Sequence, residues 1–114
     1  MLRRVPQILT RGSLAKFLSS MQSGVIHDVE NSMFYIDINN DKAYVQYDKV
    51  NGILDLFETE VPVEFRGKGI AQILAKAVFD HVVTNDLKMK VTCTYLQDYL
   101  AKNPAPEYVS RVVD

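Results

Sequence analysis

Hydrophobic and polar positions change period several times along the chain, and each change marks an element. Between Met33 and Ile38 the apolar residues Phe34, Ile36 and Ile38 alternate with Tyr35 and Asp37, the period-two pattern of a strand with one buried face. Asn39-Asn40-Asp41 is turn chemistry, and Ala43 to Val50 returns as a second strand. There Tyr44 and Gln46 alternate with Val45 and Tyr47, which gives the sheet one wetter face. Asn51-Gly52 follows, and since both residue types tolerate positive φ a type I′ hairpin turn is predicted. A third strand runs from Ile53 to about Val61. It ends or distorts at Pro62, which cannot donate to a sheet ladder.

The period then lengthens. Ile70, Ile73, Leu74, Ala77, Val78, His81 and Val82 fall at helical spacing. They read as a core stripe, with His81 a partly exposed structural residue, and the helix should stop near Asn85. Val91 to Tyr95 reads as a further strand, and Leu96 to Lys102 as a short helix halted before Pro104. A last turn or helix is expected from about Glu107 to Val113. The result is an α+β fold: a three-strand meander feeding a strand–helix–strand crossover, with a mainly antiparallel sheet and a C-terminal helix.

The opening of the chain is different in kind. Leu14, Phe17, Leu18 and Met21 make one apolar helical face, with Arg11, Lys16 and several serines around it. Residues 1–27 hold four basic residues and no acid, which leaves nine basic against fourteen acidic residues in the remainder. An Arg-rich, Ser-containing, acid-free amphipathic segment has the composition of a mitochondrial transit peptide. Two regions are therefore expected: 1–24 as a targeting segment and 25–114 as the folded domain. Read instead as a tail, or as a first helix packed on the domain, the same segment leaves a cytoplasmic or nuclear destination. A membrane-surface anchor is a third use of such a helix.

Bulk numbers close off several classes. At 114 residues the chain supports a single core. A net charge of -1 argues against a nucleic-acid binder. The one cysteine, Cys93, excludes an intrachain disulfide and a multi-cysteine metal site, and His27 and His81 lack ligand spacing, so no metal is expected. No apolar run approaches the roughly 20 residues of a membrane-spanning helix, and the chain reads as a soluble protein.

Chemistry concentrates at Arg66-Gly67-Lys68-Gly69-Ile70-Ala71, between the third strand and the long helix. A glycine turn at a helix N-terminus presents unpaired N–H groups and the positive end of the macrodipole, a ready site for phosphate. A P-loop would need Ser or Thr after its lysine, but Lys68 is followed by Gly69. The dinucleotide fingerprint would need Gly or Ala where Gln72 stands.

The spacing Arg66-x-x-Gly69-x-Ala71 resembles the Arg/Gln-x-x-Gly-x-Gly/Ala signature of the GNAT superfamily of acetyl-CoA-dependent acetyltransferases, set between the same strand and helix. Downstream, Cys93-x-Tyr95-x-x-x-Tyr99-Leu100-x-x-Asn103-Pro104 followed by Tyr108 is similar to the C-terminal half of very short, stand-alone members that lack the usual N-terminal helix pair. The resemblance covers about residues 25–112. Pro62 departs from it, since the proline more often falls one residue later.

The resemblance implies a GNAT-like fold, acetyl-CoA as cosubstrate and an amine as acceptor. Main-chain N–H groups of Arg66, Gly67, Lys68, Gly69, Ile70 and Ala71 would bind the CoA pyrophosphate, with Arg66 and Lys68 adding charge at the rim. Pantetheine would lie against main-chain groups near Val61 and Val63 as an added strand, and Tyr95 and Asn103 join the cofactor contacts. A lysine amine costs roughly 4 to 5 kcal/mol to be neutral at pH 7, so a base is useful. Glu60, with Glu58 on the same face of the strand, is the candidate, against the alternative of solvated carboxylates. Tyr99 and Tyr95 are candidate acids, or ordinary core and rim residues.

Cys93, expected on a strand beside the pantetheine, could carry the acetyl group covalently if a helix N-terminus or base lay nearby; otherwise it is a small core residue. Direct attack by the amine is the favoured route. A non-catalytic CoA-binding module is the rival reading. Small metabolite, protein lysine and α-amine all stay open as acceptors, as does the oligomeric state.

Overall fold

A computed structural model describes residues 24–114. The basic amphipathic segment expected over 1–24 therefore lies outside the described residues, apart from Gly24. In chain order come β1 (Ile26–Asp28), β2 (Met33–Ile38), β3 (Asp41–Val50), β4 (Ile53–Glu60), a 3-10 turn (Val63–Phe65), α1 (Ile70–Thr84), β5 (Lys88–Val91), α2 (Thr94–Lys102) and α3 (Pro106–Val109). The five strands lie in sequence order. Pairing is antiparallel from β1 to β4 and parallel between β4 and β5, which α1 connects. The α+β expectation holds, with one short strand, β1, added in front.

Local chemistry explains the meander. Asn51 and Gly52 both take positive φ, 54° and 78°, and Asn39 and Asn40 do the same at 48° and 66°. These are the dihedral signs of two-residue hairpin turns whose twist matches that of their strands. One sheet face then buries Phe34, Ile36, Val45, Leu54, Leu56 and Met89 against Leu74, Val78, Phe79 and Val82 of α1. Several of these side chains are wholly excluded from water. Each contributes about 1.5–3 kcal/mol relative to exposure.

One irregularity positions the site. Gln46 stands opposite Glu58 but Tyr47 opposite Leu56, so Phe57 is an extra residue on β4, a bulge. Leu54 and Leu56 face the core. Beyond the bulge, Thr59 stands opposite fully buried Val45 and takes that same side. Glu58 and Glu60, opposite Gln46 and Tyr44, turn to the wetter face. Unbroken alternation would have put both carboxylates in line with Leu54 and Leu56.

Two expectations are corrected after α1. The strand predicted over Val91 to Tyr95 runs instead from Lys88 to Val91, because Lys88 and Lys90 flank the fully buried Met89 and hide its strand pattern. Its ladder with β4 stops at Val91: Thr92 and Cys93 both donate their N–H to the Leu56 carbonyl, at 3.1 and 2.8 Å. The chain then turns directly into α2 from Thr94, and Cys93 is its N-cap. The tail beyond α3 is extended rather than helical. Met89 N–H donates to Arg111 O and Val113 N–H to Met89 O, both at 2.8 Å, so the tail lies along β5.

Candidate functional site

β4 outruns its parallel neighbour. Beyond Leu56 its outer edge has no strand beside it, since β5 has ended and α2 departs. Between this edge and the start of α1 lies a cleft of about 440 Å³. Its lining comes from Thr59, Glu60 and Val61, from Phe65 to Gln72 with Lys68 excepted, and from Tyr95 on α2.

The glycine turn forms the far end. Gly67 and Gly69 take φ of 78° and 83°, a left-handed conformation that side chains with a Cβ adopt at a cost of roughly 1–2 kcal/mol. Space is not what selects glycine: a Cβ at Gly67 would meet nothing within 4 Å, and one at Gly69 only the Gln72 Oε1 at 3.9 Å. Gly69 caps α1 with no side-chain hydrogen bond, and the first turn carries no acid. The helical ladder opens with Ile73 N–H donating to Gly69 O at 3.1 Å. The N–H groups of Ile70, Ala71 and Gln72 precede it and have no intrahelical acceptor.

Arg66 lines the cleft and is exposed, with its guanidinium engaged. Its Nε donates to Val61 O at 2.8 Å and its Nη2 to the Glu60 carboxylate at 3.1 Å. The guanidinium thus ties the start of the turn to the end of β4. Lys68 is exposed on the turn and makes no ion pair among the described residues. Glu60 is held by Arg66, whereas Glu58 is exposed with no ion pair among the described residues. Tyr44 faces both carboxylates, and its phenol is pushed up by burial first and by Glu58 and Glu60 second.

The predicted acids separate. Tyr95 lines the cleft; burial foremost, then Tyr99, Asp98 and Cys93, raises its phenol, which therefore stays protonated and able to donate. Tyr99, one turn on, lies outside the lining, packs its ring 5.7 Å from that of Phe79, and is likewise raised chiefly by burial. Asn103 sits at the C-cap of α2, where Nδ2 donates to Tyr99 O at 3.0 Å. Val63 is exposed on the 3-10 turn and outside the lining, so it offers no strand edge for pantetheine.

Cys93 also stands outside the lining. As the N-cap of α2, it donates its Sγ hydrogen to Thr59 Oγ1 at 3.4 Å. Thr59, Phe65 and Gln72 were not foreseen. Thr59 reaches the cleft only through the Phe57 bulge, which no local pattern announces. Phe65, an apolar residue inside a turn, was the legible signal.

Among the described residues no group of three or more His, Cys, Asp or Glu could hold a metal ion, and no helix is long and apolar enough to cross a membrane.

A parallel crossover whose first strand outruns the second, closed by a glycine turn on an uncapped helix, is the arrangement that the resemblance to the GNAT superfamily implied. The chain belongs to the GCN5-related N-acetyltransferase family, whose model matches residues 33–111. Among relatives, Protein NATD1 of Mus musculus is 45% identical over 91 residues, 77% of this chain and 83% of that one. Protein NATD1 of Homo sapiens is also 45% identical over 91 residues, with 77% and 80% covered. The NMR solution structure of a GCN5-like protein from Staphylococcus aureus matches with a TM-score of 0.60 at 30% identity, covering 80% of this chain and 90% of that one.

Proposed function

We propose that this protein is an acetyl-CoA-dependent N-acetyltransferase that transfers the acetyl group directly to an amine. The observation that carries the reading is the continuity of the cleft, from the unpaired β4 edge at Thr59–Val61 to the uncapped start of α1. Acetyl-CoA has parts to match both: pantetheine amides for a strand edge and a diphosphate for a helix N-terminus. Its thioester would then lie where β4 and β5 part. There Phe57 is the extra residue of the bulge, with no residue opposite it on β3, and its main-chain N–H would be the donor for the carbonyl oxygen. The amine nitrogen attacks the carbonyl carbon, the C–S bond breaks, and sulfur keeps the electron pair and takes a proton. Glu58 and Glu60, on the wetter face, are the groups that accept the proton lost from nitrogen.

Titration of isotopically labelled protein with acetyl-CoA should move the amide resonances of residues 66–71 and 59–61 most. Thioester loss is then followed with spermidine, a lysine peptide and a free α-amine. Largest shifts elsewhere would overturn the site. A second reading, a CoA-binding module without catalysis, is favoured by one feature: Tyr35, Tyr44 and Gln46 beside the carboxylates are only half-buried, so no element among the described residues walls an acceptor pocket. Binding without thioester loss for all three amines would support it. Mitochondrial targeting by residues 1–24 is an accompanying proposal, tested by the mass of the mature N-terminus.

A further inference from the structure

We propose that Thr59 returns the proton to the departing sulfur and that Cys93 resupplies it, acting through Thr59. The proposal rests on the acetyltransferase reading above. Thr59 lines the cleft beside the unpaired edge of β4, and Cys93 does not. The thiol lies behind the hydroxyl, its Sγ donating to Thr59 Oγ1 at 3.4 Å. Its position is fixed by the main chain: Cys93 N–H donates to Leu56 O at 2.8 Å, and Cys93 O accepts from Gln97 N–H at 3.0 Å. A hydroxyl has one hydrogen to give and two lone pairs to receive. With the S–H bound to one lone pair, the O–H is what remains to address the cleft.

The step balances. As the C–S bond breaks, the sulfur holds the electron pair and takes the Thr59 proton. The Thr59 oxygen takes the proton of the Cys93 S–H, which leaves a thiolate at Cys93. The proton lost from the attacking nitrogen restores the thiol through solvent. One alkyl thiol protonating another alkyl thiolate is close to even in free energy, whereas an alcohol without resupply is a very poor acid.

Because Cys93 is the one cysteine of the chain, its S–H infrared stretch is a single band. Thr59→Val should move that band to higher wavenumber in the free protein. It should also lower kcat about 100-fold, with the most active of the three amines, while KM for acetyl-CoA changes less than about twofold. Thr59→Ser should restore both readouts. Cys93→Ala should lower kcat about tenfold, since water can resupply Thr59. Intact mass after incubation with acetyl-CoA alone should show no acetyl group on the protein.

Acetyl on Cys93, an unmoved band, or full kcat in Thr59→Val would each overturn the relay. Wild-type turnover with an undiminished Thr59→Val variant sinks the relay alone. Wild-type protein that consumes no thioester with any amine sinks the acetyltransferase reading with it.

Discussion

The two ends of α1 are built on opposite terms. At the C-terminal end almost every polar group is answered. Asn85 donates both its N–H and its Nδ2 to His81 O, Leu87 N–H donates to Val82 O, and Arg111 pairs with Asp86. The rings of His27, Phe34, Tyr47 and His81 close over this end, with His27 stacked on Phe34 at 4.0 Å. At the N-terminal end the helix starts from Gly69 with no side-chain cap, beside an unpaired strand edge and an open cleft. N–H groups left open at a helix start are answered by water or by the acceptors of a ligand. One helix thus carries a sealed end that holds the fold and an open end beside the cleft.

The sharpest way to break this comparison uses glycines at both ends. Gly69→Val forces a β-branched residue to a φ of 83° and places a side chain at the cradle. Acetyl-CoA affinity should fall about 100-fold by calorimetry. Gly52→Ala, at a φ of 78° in the β3–β4 turn whose carbonyl accepts from Lys88 N–H, should lower stability by about 1 kcal/mol in urea and leave affinity within about twofold. Equal loss of affinity in both variants would mean that the ends are not independent. Arg66→Ala should have a smaller effect. Its pair with Glu60 is half-exposed and contributes under about 1 kcal/mol to stability. Loss of the tie to Val61 O loosens the turn, and affinity should fall about tenfold. Arg66→Lys should not restore it, because one ammonium cannot reproduce the two-pronged geometry.

The same division explains what was legible in the sequence. The meander, both asparagine-rich turns and α1 rest on local signals, namely alternation, turn residues and a 3.6-residue stripe, and they were readable. So was the glycine turn between β4 and α1, since strand, glycines and helix are contiguous. What failed depends on contacts distant in sequence. β5 was displaced because Met89 is buried by α1 and the C-terminal tail while its lysine neighbours look like loop. Cys93 and Tyr95 alternate like strand residues, yet the Leu56 carbonyl, 37 positions before Cys93, captures two N–H groups and ends the strand. Thr59 was missed for a similar reason. Which side of β4 it faces is set by a bulge that appears only against β3.

The mildest prediction tests the sealed end by pH. His27 Nε2 lies 2.6 Å from the Tyr47 hydroxyl, its ring centroid 4.6 Å from that of His81, and His81 Nδ1 3.2 Å from Asn85 Nδ2. Burial foremost, then His81 and Lys49, lowers the His27 pKa against a weaker pull from Asp28, and burial followed by Lys49 lowers that of His81. Lowered pKa values mean that the unfolded chain takes up protons first as pH falls. The stabilisation is therefore full above the ordinary histidine value of 6.5 and is lost progressively as pH drops below it. Urea melts at pH 7.5 and 5.5 should show weaker folding at the lower pH. His27→Gln and His81→Gln should each flatten that dependence, while at any one pH their acetyl-CoA affinity stays within about twofold of wild type. If neutralising the pair changed affinity as strongly as Arg66→Ala does, α1 would be transmitting strain between its ends, and the independence of the sealed and open ends would have to be given up.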